Sequence, residues 1–260
     1  MEKIKSEGKC YYCNKFFSKF AISRHLNAHL ANPETPKKKG KSYHLRIELN
    51  PRWGSALYFL NVLADGKITF GDLDIFLREI WLECCGHLSA FRNPQSERKG
   101  DWNIMDAYDL LDAGKVKEYE QIMENATGEI PKSRKLQNVL HKDLKINYEY
   151  DFGSSTELQL KVLSEYEFGA NGIELLSRNE PLKIMCDVCG KKPATIICSV
   201  CIDEDEGHFC NDCAKKHKKT CNDFADYAAM PVVNSPRMGV CAYEGGIIDT
   251  RRDGPYKMPA

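Results

Sequence analysis

The sequence has no surplus of charge of either sign: 37 lysines and arginines face 37 acidic residues across 260 positions. A uniformly basic nucleic-acid protein is thereby excluded, because no global positive field exists to recruit phosphate. No run of eighteen apolar residues occurs, so no membrane-spanning helix is expected. The opening MEKIKSEGKC lacks the apolar core of a secretion signal, and a soluble, cytoplasmic protein is expected. Also missing are a phosphate-cradling glycine loop, a nucleophile elbow and a two-histidine metalloprotease helix. What is present is a hydrophobic fraction of 42%, enough to build a core and to exclude a wholly disordered chain. The length suits one to three domains. The unusual feature is twelve cysteines, nine of them in pairs or half-pairs beside histidines. In a reducing compartment that usage points to metal rather than to disulfides.

The charge neutrality hides a gradient. Residues 1–41 hold ten basic residues against three acidic ones; residues 42–185 hold 17 against 23, and residues 186–260 hold ten against eleven. The stretch ANPETPKKKGK (31–41) reads as a linker, and a second boundary falls near Asn179-Glu180-Pro181. The expected division is a finger with a basic linker (1–41), an α+β domain (42–180) and a cysteine-rich module with an extended tail (181–260).

The segment CYYCNKFFSKFAISRHLNAH sets Cys10 and Cys13 two residues apart, then His25 and His29 three apart. Two cysteines on a tight turn chelate one ion. Two histidines at a spacing of four share a helix face and complete a tetrahedron. This resembles the two-Cys, two-His zinc finger over residues 10–29, with eleven residues between Cys13 and His25 where twelve is usual. The resemblance implies base-reading positions at Ser18, Ala21 and Arg24, of which Arg24 alone is a strong reader. Lys15, Lys19, Lys37, Lys38 and Lys39 add candidate phosphate contacts. One finger spans only about three base pairs, so a zinc-stabilised module with a solvated lysine face is the competing reading.

A second cluster pairs Cys186 with Cys189, Cys198 with Cys201 and Cys210 with Cys213, followed by His217 and Cys221. Eight ligands in four pairs match two tetrahedral structural zinc sites. Sequential and crossed wiring use the same residues. The spacing and the phrase HFCNDCAKKH resemble the B-box, and less closely the RING and MYND cross-brace modules. That resemblance implies Cys186, Cys189, Cys210 and Cys213 on one ion, and Cys198, Cys201, His217 and Cys221 on the other. His208 is a spare donor, expected as an outer hydrogen-bond partner. Three zinc ions per chain are therefore expected. The acidic loop 203–206 disfavours nucleic acid on one side of the module, and Lys215, Lys216, Lys218 and Lys219 favour it on the other. Residues 230–246 read as an extended segment packed back on the module or the middle domain. Cys241 within it is expected to be a small buried side chain.

In the middle, SYHLRIEL (42–49) alternates as a strand and ALYFLNVL (56–63) is a continuous apolar run. Thr69 with Asp72 forms an acidic capping box, and Leu73, Phe76, Leu77, Ile80 and Trp81 form one stripe of a helix. HLSAFRN (87–93) suggests a strand, WNIMDAYDLLDAG (102–114) a helix, and residues 145–152 and 156–168 a β-hairpin. The fold class is α+β with a mostly antiparallel sheet. YHLRIEL, ITFGDLDIFLREIW, GHLSAF and NYEYDFGSSTELQL together resemble the plasmid ORF-three-like family. Its members are small α+β domains named from a root-inducing plasmid and often associated with mobile elements. Where that family often shows HLHEF and YDFGDxWxH, this chain has Ser89, Ser154, Thr156 and Leu158 at the recurrent second His, Asp, Trp and later His. Any chemistry carried there is mostly absent from this chain.

Asp106, Asp109 and Asp112 read as a solvated acidic face rather than an Mg²⁺ site. Adjacent Cys84 and Cys85 are expected to be buried, and His44, His87 and His141 to be structural. The leading expectation is a non-catalytic zinc adaptor contacting nucleic acid or a protein partner. The alternative is an enzyme, a nuclease or another mobile-element function, with its active site in the middle domain. A redox sensor built on Cys84, Cys85 or Cys241 is a third reading.

Overall fold

The computed structural model describes residues 4–31, 38–50, 57–94, 104–203 and 206–258. Most of the linker, Lys37 included, lies outside the described residues, as do positions 56, 102–103 and 204–205 of the segments read above. Strands β1 (Glu7–Cys10) and β2 (Phe16–Ser18) form a hairpin ahead of helix α1 (Lys19–Ala31). Strand β3 (Ser42–Leu49) and strand β4 (Phe59–Asp65) pair antiparallel. Both are buried along nearly their whole length, which explains the unbroken apolar run: elements cover the sheet on each face there. Tyr43, Leu45, Ile47, Leu60 and Val62 enter the main core on one face. On the other, Phe59 and Leu63 meet Ile22, Leu26 and Leu30 of α1.

Helix α2 (Phe70–Leu77) begins at the expected capping box, with the Asp72 amide donating to Thr69 Oγ1 at 3.1 Å and the Thr69 amide donating back at 2.7 Å. It runs on into a π-helical turn over Arg78–Leu82, so the stripe Leu73, Phe76, Leu77, Ile80 and Trp81 is fully buried. Strand β5 (Ser89–Arg92) follows, then α3 (Ile104–Asp112) and α4 (Val116–Thr127), the latter ended by Gly128 in the left-handed region. The short β6 (Glu129–Ile130) leads to the hairpin of β7 (Lys145–Tyr150) and β8 (Thr156–Tyr166), where buried and half-buried positions alternate. Strand β9 (Ile173–Asn179) completes the sheet, ordered β2-β1-β9-β4-β3-β8-β7-β5-β6 with antiparallel pairing throughout.

The finger hairpin thus joins the central sheet, because β1 pairs with β9 from Gly8–Asn179 to Cys10–Ser177. The C-terminal module has its own small sheet, β11-β10-β12, of β10 (Ile196–Cys198), β11 (His208–Phe209) and β12 (Ala229–Pro231), with helix α5 (Asn211–His217) beside it. From β12 the chain returns over the middle domain as a strap built largely of turns and bends rather than the extended segment expected. Ser235 Oγ donates to the Trp81 carbonyl at 2.6 Å, the Ile248 amide donates to the Glu79 carbonyl at 3.0 Å, and the Leu175 amide donates to the Tyr256 carbonyl at 3.1 Å.

The strap approaches the π-helical turn so closely that a side chain at Gly246 has no room. A Cβ there would lie 2.5 Å from the carbonyl oxygens of Glu79 and Ile80, both rigid backbone atoms. Gly246→Ala should therefore lift the strap and destabilise the protein by about 1–3 kcal/mol. Hydrogen exchange should show faster amide exchange over residues 232–258, with a lower melting temperature. Unchanged exchange and melting would show that the contact constrains nothing.

Candidate metal centres

The finger ligands converge because the hairpin turns sharply. The Asn14 amide donates to the Cys10 carbonyl at 2.7 Å and Asn14 takes a left-handed φ of 58°, bringing Cys13 back over Cys10. Helix α1 brings His25 and His29 to the same point: Cys13 Sγ lies 3.2 Å from His25 Nε2, which lies 3.1 Å from His29 Nε2. Aromatic rings fix the imidazoles, Phe17 stacked on His25 at 4.2 Å and Tyr12 on His29 at 5.0 Å.

In the C-terminal module the donors group in crossed order. Cys186, Cys189, Cys210 and Cys213 gather at one point, and Cys198, Cys201, His217 and Cys221 at another, each set of donor atoms within 4.8 Å of one another. The Cys186–Cys189 turn repeats the finger's device: the Gly190 amide donates to the Cys186 carbonyl at 2.8 Å, with Gly190 at a φ of 60°. Cys210 and Cys213 start α5, and Phe209 stacks on His217 at 4.2 Å. His208 belongs to neither set; its Nδ1 lies 3.1 Å from the carboxylate of Asp187, the neighbour of Cys186.

The donor chemistry fits a divalent soft ion. Backbone amides of Lys191 and Lys192 hold the Cys189 thiol down at about 6. Cys201 and Cys213 are pushed up to about 12, by burial first and then by the neighbouring thiols. Thiols that raise one another in this way are relieved when a cation takes the centre and the protons leave.

The sequence reading missed one further group. Cys84, Cys85, His87 and Cys241 also bring four donor atoms within 4.8 Å of one another. Cys85 and Cys241 are exposed and Cys84 is half-buried, which corrects the expectation that these cysteines are buried. The π-helical turn ends at Leu82, so the chain leaves the core before Cys85. At Cys241 a tight turn buries Tyr243 and leaves the thiol outside. No CxxC spacing marks the group, because its last member lies 154 residues beyond His87.

The middle domain has a polar cluster on Asp74, but it is closed. One carboxylate oxygen accepts from Ser89 Oγ (2.6 Å) and Tyr148 Oη (2.7 Å), the other from Arg78 Nε (2.9 Å) and Lys132 Nζ (3.0 Å). Each oxygen already accepts two bonds, which leaves Asp74 poorly suited to act as a base. His44, buried and held near pKa 4 mainly by burial, bonds Asn27 and Asn61 as expected of a structural histidine. His141 is exposed and lies 3.1 Å from the Lys142 carbonyl. Asp106, Asp109 and Asp112 are exposed and, among the described residues, form no donor group with others.

Of the candidate phosphate contacts, Lys15, Arg24, Lys38 and Lys39 are exposed. Lys38 donates to Asn171 at 2.7 Å. Lys19 is engaged elsewhere, 2.7 Å from Glu48 with its side chain largely covered. Among the described residues no helix is long and apolar enough to cross a membrane.

No family model matches the chain, and no curated protein matches it. Among solved structures, a protein of unknown function from Methanosarcina mazei Go1 is similar over 51% of this chain, at 17% identity and a TM-score of 0.33. The matched region spans 64% of that protein, less than two thirds of its length.

The Asp74 cluster has a testable pH signature. Burial raises this carboxyl, but the bonds from Ser89 and Tyr148 and the charge of Lys132 outweigh it and hold the group below the ordinary carboxylate range. Its stabilisation is therefore present above about pH 3.9 and is lost as pH falls through the lower folded value. Asp74→Asn should cost about 2 kcal/mol at neutral pH. The gap from wild type should stay level down to about pH 5 and close below about 4 in urea titrations. A gap independent of pH would rule out the charge as its source.

Proposed function

We propose that this protein is a non-catalytic, zinc-binding adaptor, with one ion in the finger and two in the C-terminal module. The carrying observation is the completeness of these three donor sets, each with four protein donors. Zinc held by four protein ligands keeps no position for water and performs no hydrolysis. Sulfur and imidazole donors favour zinc over hard cations. Each structural site supplies about 10–16 kcal/mol of apparent binding free energy, which a small module with little core needs in order to fold.

The sheet scaffold is read as a plasmid ORF-three-like domain serving as a platform. The saturated bonds around Asp74 support a structural use of its polar residues. The exposed faces then meet the partner. The basic excess of residues 1–41 favours nucleic acid, a protein being the other outcome.

Cys198→Ser should remove a buried ligand from a module built around its ions. It should melt the module at lower temperature than Cys241→Ser does. Matching melting curves would sink the division between the module's ligands and the strap cysteine.

Deleting residues 1–41 is a poor test of nucleic-acid binding, because α1 covers Phe59 and Leu63. Point variants preserve the fold. Full-length protein should bind duplex DNA or RNA weakly in fluorescence anisotropy, with a steep salt dependence. Lys15→Ala should lower the log–log salt slope by about 0.9 on duplex DNA, and Arg24→Ala should relax base preference. Absence of binding at low salt would refute the nucleic-acid reading and leave protein contact.

A further inference from the structure

The group formed by Cys84, Cys85, His87 and Cys241 lies outside every motif visible in the sequence. Its donors come from two places: the segment that follows the π-helical turn, and the strap that returns from the C-terminal module. Cys84 Sγ and Cys85 Sγ are 3.5 Å apart, and Cys85 Sγ and Cys241 Sγ are 3.7 Å apart. His87 Nε2 lies 2.9 Å from Cys85 Sγ and 3.2 Å from Cys241 Sγ.

A zinc tetrahedron with Zn–S near 2.3 Å and Zn–N near 2.0–2.1 Å has S–S edges of about 3.8 Å and S–N edges of about 3.5 Å. The Cys85–Cys241 separation meets that edge, and the Cys84–Cys85 separation is shorter. The sulfur–nitrogen separations are also shorter than their edge, as is the 3.2 Å between Cys13 and His25 in the finger. The cluster is therefore compact like the finger set, while the sets of the C-terminal module are wider.

Two features beyond spacing point the same way. Cys241 and Ala242 are consecutive non-glycine residues in the left-handed region, at φ of 49° and 53°. Such backbone is costly and persists where its surroundings over-determine it. Here it presents the Cys241 thiol to the other three donors. Next to the group, the fully buried Arg237 has its Nη2 3.5 Å from Cys84 Sγ. Three thiolates and an imidazole around a divalent ion leave one net negative charge. The guanidinium, itself ion-paired with Asp151 at 2.7 Å, donates to one of the sulfurs, an outer contact of the kind that tunes metal sites.

We infer that Cys84, Cys85, His87 and Cys241 form a fourth zinc site, which fastens the C-terminal strap to the middle domain. Two of its ligands are exposed, whereas each of the other sets has at least one buried cysteine and no exposed ligand. This site therefore exchanges its ion with solvent most readily, and a mild chelator empties it first.

The test uses the full-length protein, purified with reductant and without added metal, and native mass spectrometry. Cys241→Ser and His87→Gln should each carry one zinc fewer than wild type, whatever number the other sites hold. The difference thus isolates this site from the three-site reading above. Brief treatment with a chelator should take one ion from wild type and speed amide exchange in residues 236–246, with no such change in Cys241→Ser. Cobalt loaded at one equivalent into chelator-treated wild type should give tetrahedral thiolate absorption that Cys241→Ser lacks. Equal zinc content in wild type and both variants would overturn the proposal. So would a metal-free Cys85–Cys241 disulfide in the wild type, seen as a chain lighter by two hydrogens.

Discussion

The buried ion pair between Arg237 and Asp151 governs how the parts of this chain sit together. Arg237 is fully buried, its Nη2 2.7 Å from the Asp151 carboxylate, and its Nη1 donates to the Ser154 carbonyl and to Thr156 Oγ1 at 3.1 Å each. Asp151 is itself held in the left-handed region and accepts from the amides of Gly153 and Ser154, so the hairpin turn and the pair are one unit. A charge this deep is stable only with its partner, since loss of one member leaves the other desolvated. The pair therefore fixes the strap in one register. Through the strap it fixes Cys241 on one side and the end of β12 on the other.

The other end of the chain is held by backbone rather than by charge. The N-terminal hairpin is not left free: β1 closes the edge of β9. That pairing covers a strand that would otherwise template aggregation. It also decides which face of α1 remains available. Ile22, Leu26 and Leu30 turn inward, Ser23 and Asn27 bond the buried Asn61–His44 pair, and Lys19 meets Glu48. What stays exposed is the outer side carrying Arg24, with Phe20 at the start of the helix. Pairing with β9 thus leaves part of the helix surface open to solvent.

Legibility in the sequence followed the range of each interaction. The Thr69–Asp72 capping box, the β7–β8 hairpin and the helix stripe ending in Trp81 were visible because their causes lie within a few residues. The candidate donor sets of the finger and the module were visible for the same reason: chelation by CxxC pairs is local chemistry. The group of Cys84, Cys85, His87 and Cys241 was not, because nothing in either segment signals the other. Nor was the role of Arg237, whose partners lie more than 80 residues away. Lys19 looked like a free cation because Glu48 approaches it only once the sheet has formed.

Ser89, Ser154 and Thr156 of the middle domain differ in their surroundings. In this chain Ser89 bonds Asp74, while Ser154 and Thr156 supply oxygens to Arg237. Ser89 and Thr156 are buried, whereas Ser154 is exposed and contributes its main-chain carbonyl. A histidine at position 89 or a tryptophan at position 156 would collide with these bonds, since both sites are buried. At position 156 a small hydroxyl residue is therefore what the strap requires. Where the C-terminal segment crosses the hairpin turn, Arg237 of the strap fills the buried space beside Asp151 and Thr156.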